Sequence, residues 1–337
     1  MRKLLLSILM TLALVLGFIP STSVFASESG SSSGSFSVGG VAPDVSALQV
    51  YSDAGLTLVA TALTPQVVYY VKTTISDANT LNDVKEVKIK VFYDVGATHP
   101  NESTITTGHE QTAGIFTWTK AGNAWAVNAG AGTSWAVVSA SSVTPTMTTS
   151  SGDWIFAVKL GKVATESLGT NVWDLHASAT DSANITSGYN LWGKTVLWYG
   201  EVVINTADID FGAVALGSGF GANVNKVTGV SIKHIANGDY AINRKSSATW
   251  TGSSNIATLD ATGNTVNALE FALKSYASDI YGSAVLVDTV GVTAFPSGVQ
   301  TLETGYTNNA ITFWLKIASV FPVDVYSGTI SSVIVNR

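Results

Sequence analysis

Histidine and carboxylate side chains are the residues of this chain most able to bind a transition metal, because the sequence has four histidines and no cysteine. Two of the histidines lie with two glutamates in one predicted loop, at His99, Glu102, His109 and Glu110. Such a set could hold zinc or copper. No two of these residues have the i, i+4 spacing that aligns ligands on one helix face, so we expect solvated loop side chains instead.

A second candidate site has oxygen ligands only. Asp77, Asn79 and Asp83 present alternating oxygens directly after a predicted strand, and Ca²⁺ is bound by six to eight oxygens in irregular geometry. The stretch lacks the central glycine and the final glutamate of an EF-hand loop, and an Asx turn between two strands explains it as well. Calcium is kept as a hypothesis, because a chain without disulfides needs other sources of stability.

Motifs associated with catalysis occur in the wrong context. Ser32 is the centre of a G-x-S-x-G match, which in hydrolases needs a strand before it and a helix after it. Residues 217–222 match G-x-G-x-x-A, but a strand is predicted to follow where dinucleotide binding needs a helix. The carboxylates are scattered and no pair stands out. We therefore expect no enzyme activity and no organic cofactor.

Aromatic residues raise the alternative of sugar binding, because aromatic faces stack on sugar rings. Seven of the nine tryptophans lie between residues 118 and 198. Three of them fall in alternating strands, where core packing is expected, and four are harder to place. The first group is Trp118, Trp154 and Trp173, and the second is Trp125, Trp135, Trp192 and Trp198.

The composition excludes several classes of protein. Hydrophobic residues make up 46% of the 337 residues and charged residues only 12%, against roughly 25% charged in an average globular protein. Such a chain is not a disordered tail. The net charge is -6 and no basic cluster occurs. Nucleic acid is therefore not an expected partner, because binding it requires a clustered positive face.

The first 26 residues have the pattern of a secretory signal peptide. Arg2 and Lys3 precede an apolar stretch at residues 4–19, and residues 24–26 form a small-x-small cleavage site. No second apolar stretch of that length follows, so no membrane span is expected after cleavage. We expect a secreted protein that is extracellular or at the cell surface. In that location two sequons, at Asn101 and Asn184, become candidate glycosylation sites.

Residues 27–40, which we call the tether, read SESGSSSGSFSVGG. This Gly/Ser-rich stretch has too little apolar area to offset the entropy of ordering it. Its residues Ser35, Phe36, Ser37 and Val38 could add a strand to the open sheet edge of a neighbouring copy, a mode of binding known as β-augmentation. They are a candidate donor strand.

From residue 41 onward the apolar residues recur with a period of two. Val87, Ile89 and Val91 alternate with lysines, as a half-buried antiparallel strand requires. Ten or more such strands, each short and bounded by turn residues, predict an all-β fold of antiparallel β-sandwiches, Ig-like or jelly-roll. Residues 266–280 could also line one face of a helix, but their alternation favours a strand.

Length and a second series of strands predict two tandem domains. We assign residues 41–199 to a first β-sandwich and residues 200–337 to a second, Ig-like one. Strands are expected near the start and the end of the second domain, at residues 208–214 and 324–335.

An internal echo relates the two predicted domains. Residues 156–163 and 313–320 share the pattern F-x-h-K-h-x-x-V, where h is apolar. Each is followed by D-h-aromatic-small, at residues 174–177 and 324–327. The echo is either chance similarity between strands or the trace of a repeat.

Residues 203–217, VINTADIDFGAVALG, resemble the opening of Ig-like domains in secreted prokaryotic surface proteins, the Hydin-like and WxL-like sandwiches that begin I-D-F-G-x-V-x-x-G. The resemblance implies that Ile209 and Phe211 face inward and that Gly212 and Gly217 lie at bends. Residues 321–330 are similar to the last strand of that family, P-x-x-x-Y-x-G-T-I.

The resemblance has limits along the chain. It departs from the family pattern at residues 236–239, where an Asn-x-Gly turn followed by an apolar residue is more usual. Residues 69–81 with 87–89 show a general likeness to envelope and S-layer proteins of archaea and bacteria. Together these likenesses imply a non-catalytic surface protein.

We therefore expect a structural protein that binds copies of itself in an extracellular lattice, filament or sheath. The low charge limits repulsion between identical subunits. A carbohydrate-binding protein that recognises cell-envelope polysaccharide through exposed tryptophans is the alternative, and an enzyme is the least expected class.

Overall fold

The structure is a computed structural model, and its described part is an all-β protein in which only short 3₁₀ turns interrupt the strands. The predicted signal peptide at residues 1–26 and the tether, with the candidate donor strand, lie outside the described residues. Within the described part no helix is both long and apolar enough to cross a membrane. The described residues are 41–204, 208–265, 267–293, 297–303 and 307–337.

We refer to residues 41–199 as the N-terminal half and to residues 200–337 as the C-terminal half. Strands of the N-terminal half are β1 (Asp44–Tyr51), β2 (Ala62–Leu63), β3 (Val68–Ser76), β4 (Val84–Asp94), β5 (Ala113–Thr119), β6 (Ala124–Asn128), β7 (Ala136–Val137), β8 (Ser151–Lys159), β9 (Val172–Asp181) and β10 (Thr186–Val196). Its 3₁₀ turns are Leu81–Asp83, Glu102–Thr104, Ala121–Asn123 and Ser139–Ser141.

The C-terminal half begins with a strand at Gly200. Its strands are β11 (Gly200–Ile204), β12 (Lys226–Ala236), β13 (Tyr240–Ser246), β14 (Thr249–Thr251), β15 (Ile256–Leu259), β16 (Glu270–Ala277), β17 (Val285–Leu286), β18 (Val292–Thr293), β19 (Thr307–Ile317) and β20 (Ile330–Asn336), and its 3₁₀ turn is Tyr281–Ser283. The ambiguous stretch at residues 266–280 contains strand β16, as its alternating apolar residues indicate.

Two sheets face each other in the N-terminal half. One has the strand order β1-β3-β8-β7 and the other β2-β10-β9-β4-β5-β6. All their ladders are antiparallel except the short pair β2 and β10. Alternate residues of β3, β4 and β9 point into the space between the sheets, because side chains on a strand alternate between its two faces.

The core between these sheets is continuous and rich in tryptophan. Trp118, Trp154 and Trp173 are fully buried in it, as the alternation predicts, and the rings of Trp118 and Trp154 meet edge to face with centroids 5.4 Å apart. Trp135 is also buried and lies 5.9 Å from Trp173. Burial of a large aromatic side chain contributes on the order of 2–3 kcal/mol, so these rings are a major source of stability for a chain without disulfides.

The C-terminal half has two sheets of unequal size. The larger has the order β11-β12-β19-β16-β15-β14, with β17 paired to β16, and the smaller has the order β18-β13-β20. The smaller sheet covers one part of the larger sheet, where Ile232, Ile242 and Phe313 form one apolar cluster. A second cluster, around Trp250 and Phe271, lies beyond it.

Two expected strands of the C-terminal half are absent or shorter than predicted. Residues 208–214 form no strand, and the strand predicted at 324–335 is limited to β20. Both segments instead cross the second apolar cluster as irregular chain, to which they contribute the half-buried Phe211, Val214 and Tyr326. The larger sheet is therefore covered at this end by loops rather than by a second sheet.

Asn237 connects the two halves. Its side-chain amide donates hydrogen bonds to the carbonyl oxygens of Ala164 (2.8 Å) and Leu197 (2.9 Å), and its Oδ1 accepts one from the N–H of Tyr199 (2.7 Å). Its own carbonyl accepts the N–H of Glu166. Each strand ladder of the described residues joins strands of the same half, but these contacts join the halves in one compact unit. The division into two domains stays a prediction.

Candidate functional site

An open apolar groove is the largest concave feature described in the C-terminal half. It has a volume of about 610 Å³ and lies over the second apolar cluster. Side chains of the larger sheet line one side of it, namely Trp250, Ala257, Phe271, Leu315 and Ile317. The groove exists because the smaller sheet does not extend over these residues.

The other sides of the groove are the two irregular segments, residues 209–216 and 321–326. Phe211 lies against Trp250, with ring centroids 6.4 Å apart, and it helps to hold the first segment on the sheet. Gly212 and Gly217 both have a positive φ, of 62° and 65°. Glycine adopts this conformation without the penalty that a side chain brings, so the segment bends at both positions.

Asp324 fixes the second segment to a neighbouring turn. Its Oδ1 accepts a hydrogen bond from the hydroxyl of Ser253 (2.7 Å), and its Oδ2 accepts one from the N–H of Ser254 (3.1 Å). These bonds, the Ser253 hydroxyl above all, hold the pKa of Asp324 far below its usual value. Gly252 makes room for the carboxylate, since a Cβ there would lie 2.3 Å from Oδ2. The carboxylate thus fastens one wall of the groove.

The rim of the groove exposes large apolar side chains. Val323 is fully exposed and Val325 is 86% exposed, and Leu216 on the opposite segment is also exposed. Contiguous exposed apolar surface is uncommon on soluble monomers and marks sites where another molecule binds. The groove and its rim are therefore the candidate functional site.

The residues of the predicted calcium site are only partly brought together. Asp77 Oδ1 accepts the N–H of Asn79 (2.7 Å), which is the Asx turn of the alternative interpretation. Asp77 is buried, and burial raises its pKa, as do the nearby carboxylates of Asp83 and Asp181. Asp181, which the sequence analysis did not single out, is fully buried as well. Calcium at Asp77, Asn79 and Asp83 stays a prediction.

The four loop residues considered for zinc or copper do not converge. His109 Nδ1 accepts the N–H of Gln111, and Glu110 contacts the C-terminal half by accepting the N–H of Glu303. Glu102 lies 3.9 Å from His176. His99 instead reaches two aspartates that sequence reasoning did not connect with it.

Both predicted glycosylation sites are exposed. Asn101 begins a 3₁₀ turn and accepts the N–H of Ser103 through its Oδ1 (2.9 Å). Asn184 lies between β9 and β10 and accepts a hydrogen bond from Lys85. Exposure is necessary for glycosylation but does not test it, so both sites stay predictions.

The tryptophans provide little surface for stacking on sugars. All nine lie in the described part of the chain, and Trp192 is the one with the exposure of a surface residue, at 37%. Its ring is stacked on His99, with centroids 4.6 Å apart. Trp125 is half-buried against Phe156, and Trp198 is half-buried with its indole N–H donated to the Asp239 carbonyl. No row of exposed aromatic rings is present among them.

Comparisons with known proteins place the chain near two structures, both remote. The first is the major pilin subunit of Bacillus cereus, BcpA, with 10% identity and a TM-score of 0.22 over 88% of this chain and 66% of the pilin. The second is dimeric latent PorU from Porphyromonas gingivalis, with 8% identity and a TM-score of 0.13 over 86% of this chain and 33% of PorU.

The chain spans less than two thirds of the length of either structure. No family model matches the sequence, and none of the curated proteins does. Likenesses at this level assign neither a family nor a function. What the chain does has to be argued from its own groove, core and surface.

Proposed function

We propose that this protein is a secreted, non-enzymatic structural subunit that assembles with copies of itself into an extracellular filament, lattice or sheath. The observation that carries the proposal is the open groove of the C-terminal half. There the apolar face of a large sheet is covered by irregular chain at a place where a second sheet would complete a sandwich. An added strand would bury this surface, and burial of apolar surface is the main driving force of association.

The occupant we propose is the tether of a neighbouring copy, through residues 35–38. In the extended conformation Phe36 and Val38 lie on one face and the two serines on the other. The apolar face matches the apolar lining of the groove, and the serines would remain in water. This is the β-augmentation mode of peptide binding.

The length of the tether fits such a role. Its 14 residues precede the first described strand and can span up to roughly 48 Å when extended. Its one charged residue is Glu28, which lies seven positions before the candidate donor strand. The carboxylates that line the groove are Asp210 and Asp324. No concentration of like charge therefore opposes the contact.

A complementation experiment tests the proposal. One variant lacks residues 27–40 and keeps an intact groove. A second keeps the tether and carries Val325→Asp, which places a charge in the groove. We expect the wild type to form long assemblies and each variant to remain monomeric, whereas a mixture of the two stops at dimers, because one tether and one groove remain usable. Size-exclusion chromatography with light scattering measures all three.

The matched control is Val290→Asp. Val290 is 85% exposed, like Val325, but it does not line the groove. Substitution at such exposed positions changes stability by less than about 0.5 kcal/mol, so any difference between the two variants reports on the surface and not on folding. Assembly that survives both the tether deletion and Val325→Asp would refute strand donation. A wild type that stays monomeric at high concentration would refute the structural role itself.

A further inference from the structure

A second site lies on the outer face of the six-stranded sheet, away from the groove and independent of the proposed function. Asp94 ends β4 and Asp174 lies on the neighbouring β9. Phe92 pairs with Asp174 and Asp94 pairs with Val172, so the two aspartates are diagonal neighbours. Diagonal neighbours on adjacent strands share a face and lie within reach of each other. Both carboxyl groups are fully buried.

The loop after β4 folds back over these carboxyl groups. Gly96, Ala97 and His99 all have a positive φ, of 78°, 51° and 52°, and these bends return the chain toward the sheet. Asp94 holds the bend in place, because its Oδ1 accepts the N–H and the hydroxyl of Thr98 (both 3.0 Å) and its Oδ2 accepts the N–H of His99 (2.9 Å). The imidazole of His99 is thereby placed above both aspartates.

An irregularity in β10 completes the surroundings. The register of β10 against β9 shifts between Leu191 and Lys194, and β-bulges of this kind often re-aim side chains beside functional sites. Here the shift turns the N–H of Gly193 toward Asp174 Oδ1 (2.8 Å) and sets Trp192 against His99. Each aspartate therefore has one oxygen held by the protein backbone and one beside the imidazole.

The charges of this cluster are not balanced by the residues that form it. Both aspartates have their ion pairs, within the described residues, with the same half-exposed His99. Burial raises the pKa of Asp174, and the neighbouring Asp94 raises it further. For Asp94, burial is outweighed by the hydrogen bonds from His99 and Thr98, which hold its pKa below the usual value. A buried pair of this kind favours the binding of a cation or a proton.

The distances distinguish between these two. His99 Nδ1 lies 3.1 Å from Asp174 Oδ2 and 3.5 Å from Asp94 Oδ2. Four ligands in a tetrahedron around zinc, with bonds of about 2.0–2.1 Å, lie about 3.3–3.4 Å apart. Among the described residues this is the one set of three histidine or carboxylate side chains whose ligand atoms all lie within 4.8 Å of one another.

We propose that Asp94, His99 and Asp174 bind a divalent transition metal of the zinc type, with one nitrogen and two oxygen ligands. His99 is 43% exposed, so the metal enters from solvent and keeps an open fourth position. Its hydrogen-bonded aspartates supply the support that metal ligands need. The ion joins the loop after β4 to the centre of the sheet and stabilises the N-terminal half.

Titration of tag-free protein with Zn²⁺ tests the proposal, followed by isothermal calorimetry and thermal melting. We expect one ion per chain and a higher melting temperature in the presence of Zn²⁺. His99→Ala removes a ligand from the half-exposed loop, and we expect it to weaken binding by about 100-fold or more, since changes in the surroundings of ligands alone cost 10- to 100-fold. Asp174→Asn, which still accepts the N–H of Gly193, should have the same effect.

His109→Ala is the matched control, because His109 lies in the same loop but outside the cluster. It should bind Zn²⁺ as the wild type does. Co²⁺ provides a second readout, since a tetrahedral site gives it a visible absorption band that His99→Ala abolishes. The proposal is overturned if the wild type binds no Zn²⁺, or if His99→Ala binds it as tightly as His109→Ala does. Circular dichroism verifies that each variant is folded.

Discussion

Two segments with the same sequence pattern have opposite surroundings in the two halves of the molecule. Phe156 in β8 and Phe313 in β19 are both buried in the centre of a sheet. The residues that follow the first, 174–177, run through the middle of β9 and are fully covered. Those that follow the second, 324–327, form an irregular segment at the surface. The shared pattern therefore specifies the buried strand but not the chain after it.

The difference extends to the cores. The N-terminal half has one continuous cluster between two sheets of four and six strands. The C-terminal half has two clusters, and the second of them is open to solvent at the groove. One half thus satisfies its own apolar surface, whereas the other leaves part of it for another chain. A division of this kind fits a subunit in which one half is rigid and the other makes the joint.

The largest expected effect compares one tryptophan from each core. Trp154→Ala leaves a closed cavity in the N-terminal half and should lower the free energy of unfolding by about 4 kcal/mol. Trp250→Ala should cost about 2 kcal/mol, because Trp250 lines the open groove and solvent can enter the space. Urea denaturation measures both. Equal costs would contradict the difference between a closed and an open core.

A smaller effect is expected at the contact between the halves. Asn237→Ala removes three hydrogen bonds and leaves the partners of a fully buried side chain unpaired, which should cost about 3 kcal/mol. We also expect calorimetry to resolve two unfolding transitions where the wild type shows one. Asn264→Ala is the control, since the Asn264 amide donates to Thr262 at the exposed surface. A single transition in the Asn237 variant would mean that the halves are coupled by other contacts.

The smallest effect concerns Glu166, which lies at the same contact and accepts a hydrogen bond from Asn336 (3.0 Å). Burial, followed by the nearby charge of Asp239, raises its pKa. The native state therefore favours the protonated form, and the stability that this form provides is present below the ordinary pKa near 4.5 and is lost as the pH rises through the higher native value.

Glu166→Gln keeps the side chain neutral at every pH. We expect the variant to be more stable than the wild type at pH 7, by up to about 1 kcal/mol, and the difference to disappear near pH 4. Parallel urea titrations at the two pH values measure it. A variant that is less stable at pH 7 would show that the charged carboxylate contributes to the contact.

Much of the fold could be predicted from the sequence, because strand periodicity is a local signal. Val87, Ile89 and Val91 face the core as their alternation indicates, and the all-β class is confirmed. The segment at 208–214 was wrong for a physical reason. A strand needs a partner with free backbone groups, and residues 208–214 have no ladder to join in the described structure.

The sites were less predictable, since they depend on contacts between distant residues. The groove arises from the absence of a covering strand, which no residue announces. His99 was recognised as a possible ligand, but its partners lie five residues before it and 75 residues after it, on two different strands. The alternation of β9 was a usable signal, because it places Asp174 on the outer face opposite Trp173 and Leu175.

The hydrogen bonds of Asp324 have a consequence for the conditions under which subunits would stay joined. A carboxylate with a strongly lowered pKa keeps its charge, and the contacts that depend on it, until the pH falls below that value. The wall of the groove should hence persist in acid that protonates ordinary surface carboxylates. Material built through this joint would be expected to withstand an acidified habitat, such as one produced by fermenting cells.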